Sequence, residues 1–296
     1  MQTQTQRKGI IIAGGLGKRL LPSTYSTNKH LFLLYDKPII YYPLTTLMMG
    51  GIKDILIVTL KSSIESYNNL LGDSSKWGIN IKYSIQKEPK GISDAILLGE
   101  DFVGKSNTVI ILGDNIFHGN HLYGLWKFAD SLNKGSTIFA HQVSDPERYG
   151  IVDFDAHGYA LTIDEKPKIP KSNFAITGLY FYDNSVFNRI RKLNSSSRNE
   201  LEVTSLNNSY IKDNLLKVNL IGRGMAWFDA GTFDSFLDAS LYIRTIQSRQ
   251  GLMIGCPEEV AFRQGWIDGH QIVNLAETMR HSKYGEYLYK IFEKNK

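Results

Sequence analysis

The chain of 296 residues contains a single cysteine, Cys256, so it cannot close a disulfide within itself. This excludes a small secreted fold built on disulfides. No apolar run approaches the roughly 18 residues that a membrane-spanning helix needs. The polar N-terminus, residues 1–8, leads directly into a strand-like run and lacks the pattern of a signal peptide. These absences predict a cytoplasmic enzyme that does not act at a membrane.

The sequence also lacks clusters of like charge. The net charge of +5 comes from 34 basic and 29 acidic residues, and no block of five like charges occurs. Such spreading is typical of an ordinary solvated surface and argues against a nucleic-acid-binding stripe. A basic pocket for a phosphorylated small molecule stays open as an alternative. The chain of 296 residues is long enough for one large α/β domain, and its 42% of hydrophobic residues can supply the core of such a domain.

Short apolar runs that end in glycine or polar residues predict buried parallel strands. They cover residues 8–13, 54–60, 107–112 and 136–143. Between the first two, residues 37–49 have a helical pattern, with Asp36 as a possible cap and two glycines as a stop. Pro43 predicts a kink or break in that helix. Strand, helix and strand at this spacing indicate a right-handed crossover and a mostly parallel, Rossmann-like sheet with helices on both faces.

The second half of the chain has a different pattern. Residues 150–164 form two alternating runs around Ala156-His157-Gly158, which predicts a β-hairpin, and residues 175–182 predict another strand. Residues 234–250, 257–265 and 284–293 have helical spacing. We therefore expect an α/β fold with a hairpin region and a helical C-terminal part.

A glycine-rich turn follows the first strand. Gly14, Gly15 and Gly17 let the backbone approach a ligand closely and point N–H groups into a concavity. Arg19 and Lys29 could then bring positive charge to phosphate oxygens. The turn is not a P-loop, because no Gly-Lys-Ser/Thr closes it, and it lacks the third glycine of a dinucleotide-binding motif.

Two carboxylates have positions suited to a metal. Asp114 follows a buried strand, and Asp229 stands between an aromatic pair and a glycine turn. Mg²⁺ prefers oxygen ligands and commonly takes one or two carboxylates besides substrate phosphates. On the residues alone, each aspartate could equally be a helix cap or a turn residue.

Several segments together resemble the sugar nucleotidyltransferases and, among them, the glucose-1-phosphate thymidylyltransferases. They are residues 14–22, 35–44, 112–117, 145–150, 165–167, 177–182 and 263–265, in the order the family has them. The resemblance implies a nucleotide-binding α/β sheet with a sugar-binding half that includes the hairpin. It also implies an activity: dTTP and glucose 1-phosphate give dTDP-glucose and pyrophosphate, by metal-assisted in-line attack on the α-phosphate. The family supplies deoxysugar routes such as the dTDP-rhamnose pathway.

The resemblance also assigns residues to roles. It implies that the nucleotide is bound by Gly14, Gly15, Gly17, Arg19, Lys29, His30, Gln86 and Gly91, the sugar phosphate by Tyr149, Gly150, Glu165, Lys166, Ile176 and Arg198, and Mg²⁺ by Asp114 and Asp229. Arg19, Lys29 and Lys166 are the expected catalytic residues. A single domain is expected, with a nucleotide-binding half at about 1–143, a sugar-binding half at 144–232 and a helical part at 233–296.

Family members assemble and are regulated, so we expect a homotetramer and feedback inhibition by dTDP-rhamnose. The aromatic residues of the helical C-terminal part are the expected contact surface, namely Trp266, Tyr284, Tyr287 and Tyr289.

The sequence departs from the family's pattern at a few points. Lys18 replaces a threonine, His30 a glutamine, Leu33 a proline, Lys90 an aspartate, Asp94 a glutamine, Asn199 a glycine and Ser205 an acid. These departures leave two alternatives open. One is a uridylyl- or cytidylyltransferase of the same fold, and the other is a non-catalytic nucleotide-sugar sensor.

Overall fold

The computed structural model describes residues 7–196 and 198–294. Most of the predicted polar N-terminus (residues 1–6) and Ser197 of the polar loop lie outside the described residues. The strands are β1 Lys8–Ala13, β2 Leu33–Leu34, β3 Lys37–Pro38, β4 Asp54–Thr59, β5 Asn80–Ile85, β6 Thr108–Leu112, β7 Asn115–His118, β8 Ser136–Gln142, β9 Gly150–Phe154, β10 Ala160–Glu165, β11 Phe174–Tyr182, β12 Leu216–Ile221 and β13 Ala226–Asp229. The helices are α1 Tyr41–Met49, α2 Ile64–Leu71, α3 Ile92–Leu97, α4 Glu100–Val103, α5 Leu122–Ser131, α6 Val186–Ile190, α7 Val203–Lys212, α8 Phe233–Gln250, α9 Pro257–Arg263, α10 Gly269–Thr278 and α11 Lys283–Lys294.

A nine-stranded sheet forms the centre of the fold. Its main path runs β10-β9-β11-β6-β1-β4-β5, and β8 and β12 extend it from β11. The strands of the N-terminal half pair in parallel, β1 with β4 and β6, and β4 with β5. The long strand β11 pairs antiparallel with β6, β8 and β9 and so connects the two halves. Because the carboxyl ends of β1, β4, β5 and β6 meet at one edge, the loops after them also meet there.

Helices cover both faces of this sheet, as predicted. Adjacent residues of one strand point to opposite sides, so Ile10 packs into one core and Ile11 into the other. One core includes α1, α9, α10 and α11, and the other includes α3, α6 and α7. The α/β fold class is confirmed, and so is the hairpin, because β9 and β10 pair antiparallel.

The predicted first helix begins later than expected. Lys37 and Pro38 form the short strand β3, and α1 starts at Tyr41 after Ile40. Asp36 does not cap the helix, because its carboxylate accepts hydrogen bonds from Lys37 and Gln247. Pro43 lies in the first turn of α1, where a missing N–H costs nothing, so no break occurs there.

The C-terminal aromatic residues that were expected as a contact surface pack partly or wholly against the core. Tyr287 is buried, and Trp266, Tyr284 and Tyr289 pack against the same core. The Tyr284 hydroxyl donates to Glu258 at 2.6 Å, and that of Tyr287 donates to Glu259 at 2.5 Å. In the part of the chain that the structure describes, no helix is long and apolar enough to cross a membrane.

Candidate active site

A cavity of about 250 Å³ lies where the two halves of the sheet meet. Residues from six strands and α7 line it. Of the residues predicted from the sequence, it brings together Arg19, Asp114, Tyr149, Gly150, Glu165, Lys166, Ile176 and Asp229. These residues are separated by up to 210 positions along the chain.

The glycine-rich turn leaves β1 and passes over the cavity. Gly17 has a φ of 60°, in the left-handed region that glycine adopts without strain. Gly14 lies close to Gln86, since a methyl group added there would be 2.5 Å from Gln86 Oε1. Arg19 extends to the turn after β13, where a methyl group added to Gly231 would be 2.6 Å from its Nη2. The turn therefore brings its arginine beside Asp229.

Lys29 and Asp114 form a partly buried ion pair. The Lys29 ammonium donates to Asp114 Oδ2, and both side chains are less than one-sixth exposed. The Asn115 amide donates to the other oxygen at 3.0 Å. Burial by itself would raise the pKa of Asp114, but the Lys29 charge and these hydrogen bonds hold it well below its usual value. Asp114 is therefore ionised at neutral pH.

Asp229 ends β13 and pairs with Asn115 of β7, which places it next to Asp114 in space. The Tyr149 hydroxyl donates to Asp229 Oδ1 at 2.9 Å, and Arg148 Nη2 is 3.7 Å from the same oxygen. Burial raises the pKa of Asp229, and the negative charge of Asp114 raises it further. Two carboxylates that repel each other at a cavity fit a divalent cation between them.

No group of three or more carboxylate, histidine or cysteine side chains that could hold a metal occurs among the described residues. The two aspartates would therefore have to share an ion with substrate oxygens. Mg²⁺ accepts this, because it is usually bound by one or two carboxylates together with phosphates and water.

Glu165 is the centre of the sugar side. Its Oε2 accepts from Thr204 Oγ1 at 2.6 Å, and its Oε1 accepts from Arg198 at 3.0 Å. Lys166 has its ammonium 3.8 Å from the same carboxylate. Arg198 also pairs with Glu202 at 2.9 Å, which orients its guanidinium toward the cavity's rim. Lys166 and Glu165 line this end of the cavity, whereas Arg198 reaches it only through its bonds to Glu165 and Glu202. A cation and a fixed carboxylate can bind a phosphate and hydroxyl groups.

Gln86 and Gly91 lie together on the far side of the glycine-rich turn and do not line the cavity. The Gln86 amide donates to the Gly91 carbonyl at 3.4 Å and to Asp94 at 3.0 Å. Gly91 has a φ of 102°, and a methyl group there would be 2.6 Å from the Leu201 carbonyl. This position therefore requires glycine.

His30 is buried behind the turn, 2% exposed, and does not reach the cavity. Its Nδ1 is 2.6 Å from Asn28 Oδ1. Its ring lies against Gly113, where an added methyl group would be 2.8 Å from the imidazole Cδ2. The same Asn28 also bonds the Ala13 carbonyl at 3.0 Å. The imidazole therefore supports the loop that carries Lys29.

Four further residues belong to the site, although the sequence assigned them no role. Asn115 accepts from Trp227 at 2.7 Å and from the Gly178 N–H at 2.9 Å, which connects three strands at the cavity. Arg148 and Thr204 contact Asp229 and Glu165. Asn115 and Arg148 lie within segments that carry the family resemblance, and this is a signal that could have identified them. Thr204 and Trp227 meet their partners only in the folded chain.

The chain resembles known proteins along most of its length. Residues 8–246 match the family model described as Nucleotidyl transferase. The chain is 49% identical over 284 residues to a glucose-1-phosphate thymidylyltransferase of Xanthomonas campestris, covering 96% of each chain. It is 47% identical over 288 residues to one of Mycobacterium tuberculosis, covering 97% of this chain and 100% of the relative.

Solved structures have the same fold. A Bacillus anthracis protein assigned as a glucose-1-phosphate thymidylyltransferase, crystallised with sucrose, superimposes with a TM-score of 0.75 at 40% identity, covering 80% of this chain and 95% of that one. A UDP-glucose pyrophosphorylase with bound UDP-glucose gives 0.72 at 23% identity, covering 81% and 99%. The second likeness shows the fold alone.

The buried histidine predicts a pH dependence of stability. Burial, and then the charge of Lys29, lower the pKa of His30 from 6.5 to about 3. Between these values the unfolded chain binds a proton that the folded protein does not. The free energy of unfolding should therefore fall by about 1.4 kcal/mol per unit as pH decreases through this window.

Urea unfolding of the wild type and of His30→Gln, from pH 7 to pH 4.5, measures this contribution. The variant should lose less stability on acidification than the wild type does. His157→Gln, in the exposed turn of the hairpin, is the matched control and should behave as the wild type. Equal acid sensitivity of wild type and His30→Gln would show that the imidazole is not held neutral.

Proposed function

Since the chain belongs to the nucleotidyl transferase family, we propose that it transfers a thymidylyl group from dTTP to glucose 1-phosphate, with release of pyrophosphate. The two relatives described above bear the name of this activity and match this chain over nearly their whole length. The observation that carries the proposal is the meeting of Asp114 and Asp229 at one cavity, with cations on both sides of it.

The reaction needs no general base. Glucose 1-phosphate is a phosphate monoester with a second pKa of about 6, so it is mostly a dianion at pH 7. One of its oxygens attacks the α-phosphorus of dTTP, and pyrophosphate leaves on the opposite side. The task of the protein is to position two polyanions in line and to neutralise their charge.

The side chains divide this task. Arg19 and Lys29 bind the triphosphate, and Lys166 and Arg198 bind the incoming sugar phosphate. Lys29 exchanges the Asp114 carboxylate for phosphate oxygens when the nucleotide enters. Glu165, fixed by Thr204 and Arg198, accepts hydrogen bonds from sugar hydroxyls.

Asp114 and Asp229 would hold the divalent ion, which we propose is Mg²⁺. When bound, such an ion supplies positive charge that polarises phosphoryl oxygens and orients them. The carboxylates need this cation, because the Asp114 charge raises the pKa of Asp229. Tyr149 holds Asp229 in place through its hydroxyl.

On the nucleotide side, Gly14, Gly15 and Gly17 allow the triphosphate to approach the backbone, and Gln86 and Gly91 read the base. His30 acts indirectly, through Asn28 and the loop that carries Lys29. Tyr149, Gly150 and Ile176 shape the sugar end of the cavity, where a methyl group on Gly150 would be 3.4 Å from Glu165.

We propose a homotetramer, with α8 as a contact surface. Phe233, Leu237 and Leu241 recur every four residues along this helix and are each about half exposed. An apolar stripe of this kind is suited to a second copy of the chain. Its side chains are more exposed than those of Trp266, Tyr284, Tyr287 and Tyr289, which pack partly or wholly against the core.

A second cavity of about 590 Å³ lies between α1, β7 and α9 and is a candidate site for feedback inhibition by dTDP-rhamnose. Apolar residues such as Phe117, Leu252 and Val260 line it together with Arg263, whose guanidinium pairs with Glu259 of the same lining at 2.8 Å. A largely apolar pocket of this size can bind a nucleotide base.

A pyrophosphate-release assay tests the activity. With glucose 1-phosphate, dTTP should be used in preference to UTP, CTP and ATP. Arg19→Ala should lower the rate about 10²- to 10³-fold, because a preorganised donor to the transferring phosphate is lost. Lys18→Ala removes the neighbouring exposed charge and should stay near the wild-type rate.

Release only with UTP or CTP would favour one of the alternative transferases, and no release with any nucleotide would favour the sensor. An unchanged rate in Arg19→Ala would remove the glycine-rich turn from the phosphate site.

Light scattering at micromolar concentration should give about four times the 33.5 kDa chain mass. Leu237→Arg should reduce that mass, whereas Tyr159→Arg, at an exposed aromatic residue of the hairpin, should not. dTDP-rhamnose added to the pyrophosphate assay should inhibit. A monomeric wild type would contradict the proposed assembly, and full activity with the added sugar nucleotide would contradict feedback.

A further inference from the structure

The side-chain amide of Gln86 is held in one orientation. Its Nε2 donates to Asp94 Oδ2 at 3.0 Å and to the Gly91 carbonyl at 3.4 Å. An ionised carboxylate and a carbonyl can only accept hydrogen bonds. If the amide rotated by half a turn, its oxygen would face both of these acceptors, which is unfavourable. The NH₂ group is therefore fixed toward α3.

The Gln86 oxygen consequently points the other way. It lies against the glycine-rich turn, where a methyl group on Gly14 would be 2.5 Å away. The two hydrogen bonds of Nε2 therefore leave Oε1 as the end of this largely buried side chain that can accept from a ligand. A ligand that supplies a donor there gains a hydrogen bond.

Asp94 accepts the shorter of the two bonds, and a carboxylate is a stronger acceptor than a backbone carbonyl, so Asp94 dominates the orientation. The neighbouring charges do not contribute. Lys90 pairs with Glu88 at 3.1 Å, and both side chains are more than half exposed.

We propose that Asp94 is a positioning residue that sets base specificity, by holding Gln86 so that it presents an acceptor to the base. The inference rests on the proposed function, in which Gln86 reads the base. Thymine and uracil carry a donor, N3–H, and satisfy this oxygen. Cytosine has an acceptor at N3, so two lone pairs would face each other in a desolvated site. Asp94 thus excludes cytidine nucleotides.

Asp94→Asn tests this inference. Asparagine keeps the shape of aspartate but can donate to Gln86 Oε1, so the amide can adopt both orientations. The ratio of kcat/KM for dTTP to that for dCTP should fall roughly tenfold or more, the value of one hydrogen bond between correctly matched groups. KM for dTTP should rise while its kcat stays nearly constant, because base contacts are equal in the ground and transition states.

Glu88→Gln is the matched control. It removes one negative charge from the same loop without a contact to the amide, and its dTTP to dCTP ratio should equal that of the wild type. A purely structural role for Asp94 would lower kcat and the melting temperature with both nucleotides and leave the ratio unchanged, and this result would overturn the inference.

Gln86→Ala separates this inference from the proposed function. If that variant loses the preference for dTTP and Asp94→Asn keeps it, Gln86 reads the base but Asp94 does not orient it. If Gln86→Ala keeps the full preference, the base is read elsewhere and the inference fails. The proposed function is tested separately, by pyrophosphate release from the wild type, and neither outcome with the variants changes that result.

Discussion

Two negative charges, Asp114 and Asp229, are held at one cavity, and much of the surrounding structure compensates for this placement. A partly buried charge is costly unless it is paired and hydrogen-bonded. Lys29 and Asn115 satisfy Asp114, and Tyr149 satisfies Asp229. The strand pairing of β7 with β13 brings the two carboxylates side by side. The resulting field attracts cations and, through them, phosphates.

The departures from the family's pattern that the sequence shows at His30, Lys90 and Asn199 lie outside the cavity lining. His30 is kept neutral by burial, so it adds no charge where the family has a glutamine. Asn199 adopts a φ of 58°, which asparagine tolerates better than most residues, in place of a glycine. Lys90 is neutralised by Glu88 outside the cavity. None of these three residues lines the cavity.

The sequence predicted the buried strands well, because a strand covered on both faces is apolar throughout. The run predicted at 54–60 is β4, Asp54–Thr59. The start of α1 was wrong for a non-local reason. Lys37 is buried by bonds to Gln247 and the Ile254 carbonyl, more than 200 residues away, and no local pattern shows such contacts.

The same limit applies to the site. Asp114 was identifiable from its place after β6, but the meeting of Glu165 with Thr204 depends on how α7 packs against β10. The orientation of the Gln86 amide likewise depends on Asp94 in space. The resemblance in sequence identified the candidate residues, and the fold shows which of them are in contact.

The central claim is that Asp114 and Asp229 serve one metal ion. Turnover against Mg²⁺ concentration for Asp114→Asn, Asp229→Asn and the double variant tests it, with circular dichroism as the folding control. Asp155→Asn, a hairpin carboxylate that accepts only backbone bonds, is the matched control.

Each single variant should lose about 10²- to 10³-fold in turnover or more. The double variant should turn over about as slowly as the slower of the two single variants, because the losses of residues that act as a unit do not add. Fully additive losses, or full activity of either single variant at ordinary Mg²⁺, would contradict the shared site.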